Sequence, residues 1–453
     1  MPDGTTAGPT TTDLYEVTMA LSYLREGMTR PATFSCFVRE LPADRGFLVA
    51  AGAEAVLDFL SRFRIGPEDV EVFAEALHRP TMDLAPLLGL RFAGEVRAVP
   101  EGRVVLAGEP LLEITAPLPQ AQLVESFVLN QLSHQTAIAA KCARCVLAAR
   151  GRPVVDFSLR RAHGVEAGLR AARLAAMAGF AGTSNVAAAH AERLPAVGTM
   201  AHSYVEAFED EEAAFSAFAR AHPGPVTFLV DTYDVDSGVA AAARVLHTLD
   251  RTEGAAIRLD SGDLAALAVR ARAMLDRAEL PGVRIVASGG LDEFAVDDLV
   301  RAGAPVDVFA VGTRVGVSAD APYLDSAYKL VAYDGRPVMK LSAAKATAPG
   351  RKQVFRHPGC RDVIGLAEEP APAGSVPLLE TLMRDGMRCA PRTSLADARS
   401  RLVADLAELP STARAIRAPV PVRPSVSAPL ATLTQHVQRR IERAVLAPYD
   451  HLA

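Results

Sequence analysis

Between residues 154 and 312 the chain repeats one pattern: a short apolar run, a polar residue at its end, then a longer stretch rich in Ala, Arg and Leu. Val154 to Phe157 runs into Ser158-Leu159-Arg160-Arg161, and Val197 to Ala201 into His202. Val226 to Val230 ends in Asp231, Ala255 to Leu259 in Asp260, Val283 to Ala287 in Ser288, and Val308 to Val311 in Gly312. Phe180 marks a weaker seventh run. Apolar strands alternating with helices predict a parallel sheet covered by helices, and a repeat of about 28 residues suits a strand, a helix and two short loops. In a barrel of this kind chemistry sits at the carboxyl ends of the strands. Arg160, His202, Asp231, Arg258 and Asp260 are therefore expected at one mouth.

The flanks carry other patterns. Thr12-Asp13 is a candidate N-cap for a helix opening at Leu14. Ala32 to Val38 and Glu95 to Val105 alternate like strands, whereas Gly52 to Arg64 and Gln122 to Arg150 have helical periodicity. Tyr328 to Tyr333, the turn Asp334-Gly335 and Arg336 to Leu341 predict a hairpin. Glu368 to Gly374 reads as a loop, and a Pro-rich run from Ala418 to Pro429 precedes a final helix from Ala431 to Ala447. The expected division is an N-terminal α+β domain over 1–150, an irregular parallel α/β barrel over 151–360, and a small C-terminal extension over 361–453 that packs and caps.

Composition narrows the function. Of 453 residues 50% are hydrophobic, ample for a large core, and the net charge is −5 with no basic tail. A nucleic-acid partner is therefore not expected. No apolar run is long enough to span a membrane, and the first residues lack the basic start and apolar block of a signal peptide. Five cysteines form no even framework, which points to a reduced, cytoplasmic enzyme. The chain holds 43 Arg but only 5 Lys, and Lys329, Lys340, Lys345 and Lys352 fall within 24 residues. That cluster is either a source of compact charge for phosphates or a solvated hairpin.

Each candidate site has a bland and a chemical reading. Phe157 beside Arg160 and Arg161 is either a core ring near surface charges, or a stacking platform beside an anion grip. Gly182-Thr183-Ser184-Asn185 is either a plain helix cap or an anion-binding helix start. His202, directly after an apolar run, can be a base, a ligand or a phosphoryl acceptor. Asp231 and Asp260 can cap helices, or bind Mg²⁺ and ribose hydroxyls. Ser288-Gly289-Gly290 and Gly312-Thr313-Arg314 offer bare N–H groups to phosphate. Cys142 and Cys145 have metal spacing but sit in a helical stretch with no second pair. His357, Cys360 and Cys389 lack a fourth partner, so no zinc is expected.

Several of these motifs, in order, resemble the nicotinate phosphoribosyltransferase family. They are Thr12-Asp13-Leu14-Tyr15, Phe157 to Gly164, Gly182 to Asn185, Gly198 to His202, Arg258 to Asp263, Lys340 to Thr347 and Gly350 to Gln353. Ser158 stands where the family commonly has Gly. The resemblance covers roughly residues 10–360 and implies a homodimer that joins nicotinate to phosphoribosyl pyrophosphate, coupled to ATP hydrolysis with Mg²⁺. It implies that ATP phosphorylates His202. Phe157 would stack on the pyridine ring with Tyr15 of a second subunit, and Arg258 would meet the carboxylate of nicotinate. Arg160, Thr183, Ser288, Gly289, Gly312 and Thr313 would face the substrates. Asp231 and Asp260 would engage ribose and Mg²⁺, and Lys340, Lys345 and Lys352 would serve ATP or pyrophosphate. Nicotinamide-specific relatives carry an acidic residue where this chain has Ser184, so Ser184 favours nicotinate over the amide. Nicotinamide phosphoribosyltransferase, quinolinate phosphoribosyltransferase and a catalytically silent nucleotide sensor are the rival readings.

Overall fold

The computed structural model describes residues 7–342 and 347–446. Its contacts divide the chain into two compact units, one of residues 1–137, 323–415 and 419–453, the other of residues 138–322 and 416–418.

The second unit is the expected α/β body. Six parallel strands lie in the order Gly182–Thr183, Val154–Asp156, Val308–Val311, Arg284–Ala287, Ala256–Leu259, Thr227–Leu229. The sheet is an open half-barrel with an edge at each end. Strand side chains alternate between faces. One face gathers Val155, Ala256, Val286 and Ala310 into a buried cluster, with Phe157, Val197 and Val308 packed on it. Helices pack against the sheet, Val165–Ala178 on the strands Val154–Asp156 and Gly182–Thr183, and Leu264–Arg277 on the strands Ala256–Leu259 and Arg284–Ala287. Asp156, the last residue of its strand, is 1% exposed and takes the Thr183 hydroxyl at 2.7 Å.

One expected strand is missing. Val197 to Ala201 forms no strand; the chain makes a single bridge from Ala196 to Thr183 and then enters the helix His202–Glu206. Pro195 brings no N–H to a ladder, and Gly198 brings no side chain to pack. His202 keeps its place after this segment even so.

The first unit is built on a seven-stranded antiparallel sheet. Its order is Arg336–Pro337, Ser326–Tyr333, Pro31–Val38, Pro110–Pro117, Glu95–Ala98, Glu380–Arg384, Met387–Arg388. Phe34 stacks on Tyr328 at 4.7 Å, and Phe59 on Phe127 at 3.8 Å, in the core beneath it. The hairpin turn holds Asp334 and Gly335 at φ of 49° and 72°, the left-handed pair that a two-residue hairpin turn needs. The units divide at other points than residues 150 and 360, because strands at 326–333 and 380–384 complete the N-terminal sheet. The C-terminal stretch is woven in rather than appended. Asp405, on the helix Leu395–Glu408, accepts from Arg103 at 2.8 Å, Val104 N–H at 2.9 Å and Arg356 at 2.8 Å. Asp13 does open the helix Leu14–Arg25, but its carboxylate accepts from Ser126 Oγ at 2.6 Å instead of capping. Among the described residues no helix is long and apolar enough to cross a membrane.

Candidate active site

Register brings the key side chains together. On the face that holds Val155, Ala256, Val286 and Ala310, the next same-face positions toward the carboxyl ends are Phe157 and Arg258. Arg258 pairs in register with Val286 and is 8% exposed. Its Nη1 donates to Thr199 Oγ1 at 2.7 Å, and its Nε is buried without a partner. Burial lowers its pKa, the carboxylates of Asp260 and Asp231 oppose that, and Arg160 adds to it. Arg160 is thus close enough to contribute to the same field, on the exposed turn Leu159–Arg161.

Two residues beyond Arg258, Asp260 is held from two sides. Ser288 Oγ lies 2.5 Å from its Oδ1, and His202 Nε2 lies 3.8 Å from its Oδ2. The other imidazole nitrogen, Nδ1, is 3.2 Å from Thr232 Oγ1. Asp231 Oδ2 accepts from the Asp260 N–H at 2.9 Å and from Ser261 Oγ at 2.8 Å, while its Oδ1 is buried and without a partner. Two strand ends, Ala256–Leu259 and Thr227–Leu229, and the start of the helix His202–Glu206 therefore deliver a half-exposed imidazole, two carboxylates and a buried guanidinium to one mouth. Two glycines keep it tight. A Cβ at Gly289 would fall 1.7 Å from the Asp260 carbonyl oxygen, at a φ of +91°, and one at Gly312 would fall 2.8 Å from that of Phe157.

Not every candidate faces this mouth. Thr183 is 1% exposed, and its hydroxyl is spent on Asp156 at 2.7 Å and on the Asn185 N–H at 3.0 Å. It is a strut of the turn and has no donor left for a substrate. Ser288 is likewise buried and serves Asp260 rather than a phosphate. Ser184 is half-buried beside that turn, and Thr313 is exposed at the start of the helix Thr313–Gly316. Tyr15 is 46% exposed in the first unit, its hydroxyl pushed up by burial and by the carboxylates of Glu125, Glu16 and Asp13. Lys340 is exposed, and Lys345 lies outside the described residues. Lys352 departs from the expectation. It is 3% exposed, its Nζ donates to the carbonyls of Gly350 at 2.8 Å and Ala348 at 3.2 Å, and Glu113 lies 3.5 Å away. Three nearby acceptors match its three protons, so it has none to offer a phosphate. Cys142 and Cys145 are buried in a helix, where burial raises the Cys145 thiol well above its usual range. Among the described residues no three His, Cys, Asp or Glu gather in a way that could hold a metal ion on their own. Sequence reasoning missed Thr199 and Thr232, whose only signal was adjacency to residues already singled out.

Comparison with known proteins decides the family. Residues 10–133 match the nicotinate phosphoribosyltransferase N-terminal domain, and residues 153–356 match the nicotinate phosphoribosyltransferase family. The chain is 48% identical over 382 residues to a nicotinate phosphoribosyltransferase of Mycobacterium tuberculosis, covering 83% of this chain and 82% of that one. The chain belongs to the nicotinate phosphoribosyltransferase family. A Bacillus subtilis member is 40% identical over 354 residues, covering 76% of this chain and 72% of its own. The crystal structure of human nicotinic acid phosphoribosyltransferase superposes with a TM-score of 0.82 at 31% identity, over 94% of this chain and 99% of that one.

For a nicotinate phosphoribosyltransferase family member, the donor set at the mouth fits a hard divalent cation. Mg²⁺ takes one or two protein carboxylates and fills its remaining positions with water and substrate phosphates. Asp231 Oδ1, buried and unpartnered, and Asp260 Oδ2 are the oxygens available for it.

Proposed function

We propose that this chain is an ATP-coupled nicotinate phosphoribosyltransferase acting in NAD salvage. Nicotinate, phosphoribosyl pyrophosphate, ATP and water give nicotinate mononucleotide, pyrophosphate, ADP and phosphate. The observation that carries the acid specificity is Arg258, a buried guanidinium with no ion pair among the described residues. A carboxylate on the substrate would supply the anion it lacks.

The pyridine nitrogen attacks the anomeric carbon of the sugar as the bond to pyrophosphate breaks. Positive charge develops on the ring, and the Asp260 and Asp231 carboxylates favour that state electrostatically. Phe157 stacks on the pyridine, joined by Tyr15 of a second subunit in a homodimer, and Arg160 meets phosphate. Much of the rate comes from holding both reactants in place. Bound Mg²⁺ would neutralise charge on the departing pyrophosphate.

His202 is the phosphoryl acceptor in this reading. Its imidazole attacks the γ-phosphorus, ADP leaves, and water later releases phosphate from the ring. A half-exposed imidazole oriented by Thr232 and Asp260 is a competent nucleophile for that step. Ser184, neutral where an acidic side chain would repel a carboxylate, supports the acid over the amide. A cytoplasmic location accompanies the proposal, since all five cysteines are free thiols.

The test is product analysis with nicotinate, phosphoribosyl pyrophosphate and ATP, together with an assay for acid-labile phosphate on the protein. Mononucleotide formation with stoichiometric ADP and labelled protein supports the scheme. Transfer with no ADP and no labelled protein removes the His202 step. Preference for nicotinamide in kcat/KM removes the acid assignment.

A further inference from the structure

Arg258 is held from one side by a single hydroxyl. Its buried Nε has no partner, and among the described residues no carboxylate forms an ion pair with it. Two carboxylates, Asp231 and Asp260, nevertheless lie close enough to act on it electrostatically. A guanidinium free to rotate in such a place would turn toward one of them. What opposes that turn is Thr199, whose Oγ1 accepts from Nη1 at 2.7 Å and lies 3.2 Å from the Met200 carbonyl, to which it donates. The hydroxyl is thus fixed in direction: its proton is committed to backbone, so its lone pair faces the arginine. Thr199 also sits three residues before His202, on the segment tethered to the sheet by the single Ala196–Thr183 bridge.

We infer that Thr199 is a specificity-determining positioning residue: it turns the Arg258 guanidinium away from Asp231 and Asp260 and presents its free N–H groups to the carboxylate of the acceptor substrate. This rests on the reading of Arg258 as the carboxylate partner. The hydroxyl does not touch the reacting atoms; it acts through the arginine. Without it, the guanidinium pairs with a neighbouring carboxylate, and the substrate must then compete with a protein anion for the same donors.

The test is a steady-state comparison of the full-length protein with its Thr199→Val, Thr199→Ser, Arg258→Ala and Thr199→Val/Arg258→Ala variants. The substrates are nicotinate, nicotinamide and phosphoribosyl pyrophosphate. Thr199→Val keeps the branched shape and removes the acceptor. It is expected to raise KM for nicotinate roughly tenfold or more, with a much smaller change in KM for the sugar donor, and to lower the acid-to-amide ratio of kcat/KM. Thr199→Ser should recover most of the loss, because the hydroxyl returns. In the Arg258→Ala background, Thr199→Val should add almost nothing, since the two act as one unit. A Thr199→Val effect equal for all three substrates, no recovery in Thr199→Ser, or full additivity in the double variant would overturn the positioning role. If Arg258→Ala leaves KM for nicotinate unchanged, the arginine assignment itself fails. A raised KM in Arg258→Ala with none in Thr199→Val sinks only the role of Thr199.

Discussion

The Ser288 hydroxyl sits 2.5 Å from Asp260 Oδ1, which leaves Oδ2 to face His202 Nε2 at 3.8 Å. A strand-end serine on the Arg284–Ala287 strand thereby sets the rotamer of a carboxylate on its neighbour. Gly289 reinforces this by letting the next residue pass against the Asp260 carbonyl.

Removing that hydroxyl should loosen Asp260 without taking its charge away. Ser288→Ala is expected to lower kcat/KM for phosphoribosyl pyrophosphate roughly tenfold to a hundredfold, the worth of one charge-assisted hydrogen bond. Asp260→Asn should cost more, because the charge itself is lost. Initial-rate measurements at varied sugar donor check this. A Ser288→Ala enzyme indistinguishable from its parent would mean that Asp260 needs no such support.

His202 lies between Thr232 and Asp260, with ring atoms reaching both. His202→Ala is expected to abolish ATP hydrolysis and its coupling to transfer, while weak ATP-independent transfer remains. Measuring ADP and mononucleotide in the same reaction separates the two. Coupling that survives the substitution would refute the phosphoryl-acceptor role.

How much of this was legible before any coordinates depended on the range of the interaction. Short apolar runs ending in Asp231, Asp260 and Ser288 marked strand ends because a buried parallel strand writes itself locally. The mouth followed from that pattern. Val197 to Ala201 carried the same apolar signature yet makes only one bridge, since Pro195 and Gly198 weaken its pairing. The division into units was not legible, because the register of Ala32 with Tyr333 joins segments far apart in sequence and leaves no local trace. Thr199 lies inside the Gly198 to His202 motif and Thr232 beside Asp231, yet neither role was legible, because a hydroxyl's hydrogen-bond partner leaves no pattern in the sequence. Lys352 was misread because scarcity of lysine suggested chemistry. Its carboxylate neighbour Glu113 lies 239 residues earlier, where no periodicity could point to it.

That buried lysine yields a stability prediction. Lys352 lies between Glu113 and two backbone carbonyls, and Arg97 Nη1 also lies 3.5 Å from Glu113. Lys352→Met would leave Glu113 buried with one cation fewer. A loss of about 3 kcal/mol in unfolding free energy is expected, at the lower end for a broken buried pair because Arg97 remains. Denaturant titration measures it, and KM for ATP and for phosphoribosyl pyrophosphate should stay close to the parent's. An unchanged denaturation midpoint with a raised KM for either would return Lys352 to the phosphate site.

Stability should also fall with rising pH through one buried carboxyl. Glu109 is 0% exposed, and burial, followed by the neighbouring charge of Asp362, holds its pKa well above the ordinary carboxylate range. Arg356 opposes that shift but is itself engaged by Asp362 at 2.6 Å and Asp405 at 2.8 Å. The folded protein therefore holds the Glu109 proton to higher pH than the unfolded chain, whose carboxyl has the ordinary value of 4.5. The sign follows from linkage. The contribution is fully present below the unfolded pKa and is lost progressively as pH climbs through the folded one. Glu109→Gln mimics the protonated form at every pH, so its unfolding free energy should decline less than the parent's above about pH 4.5. Parallel denaturant titrations from pH 4.5 to 8 compare the two slopes. Identical slopes would show that Glu109 is ionised in the folded protein throughout, and that Arg356 rather than burial sets its state.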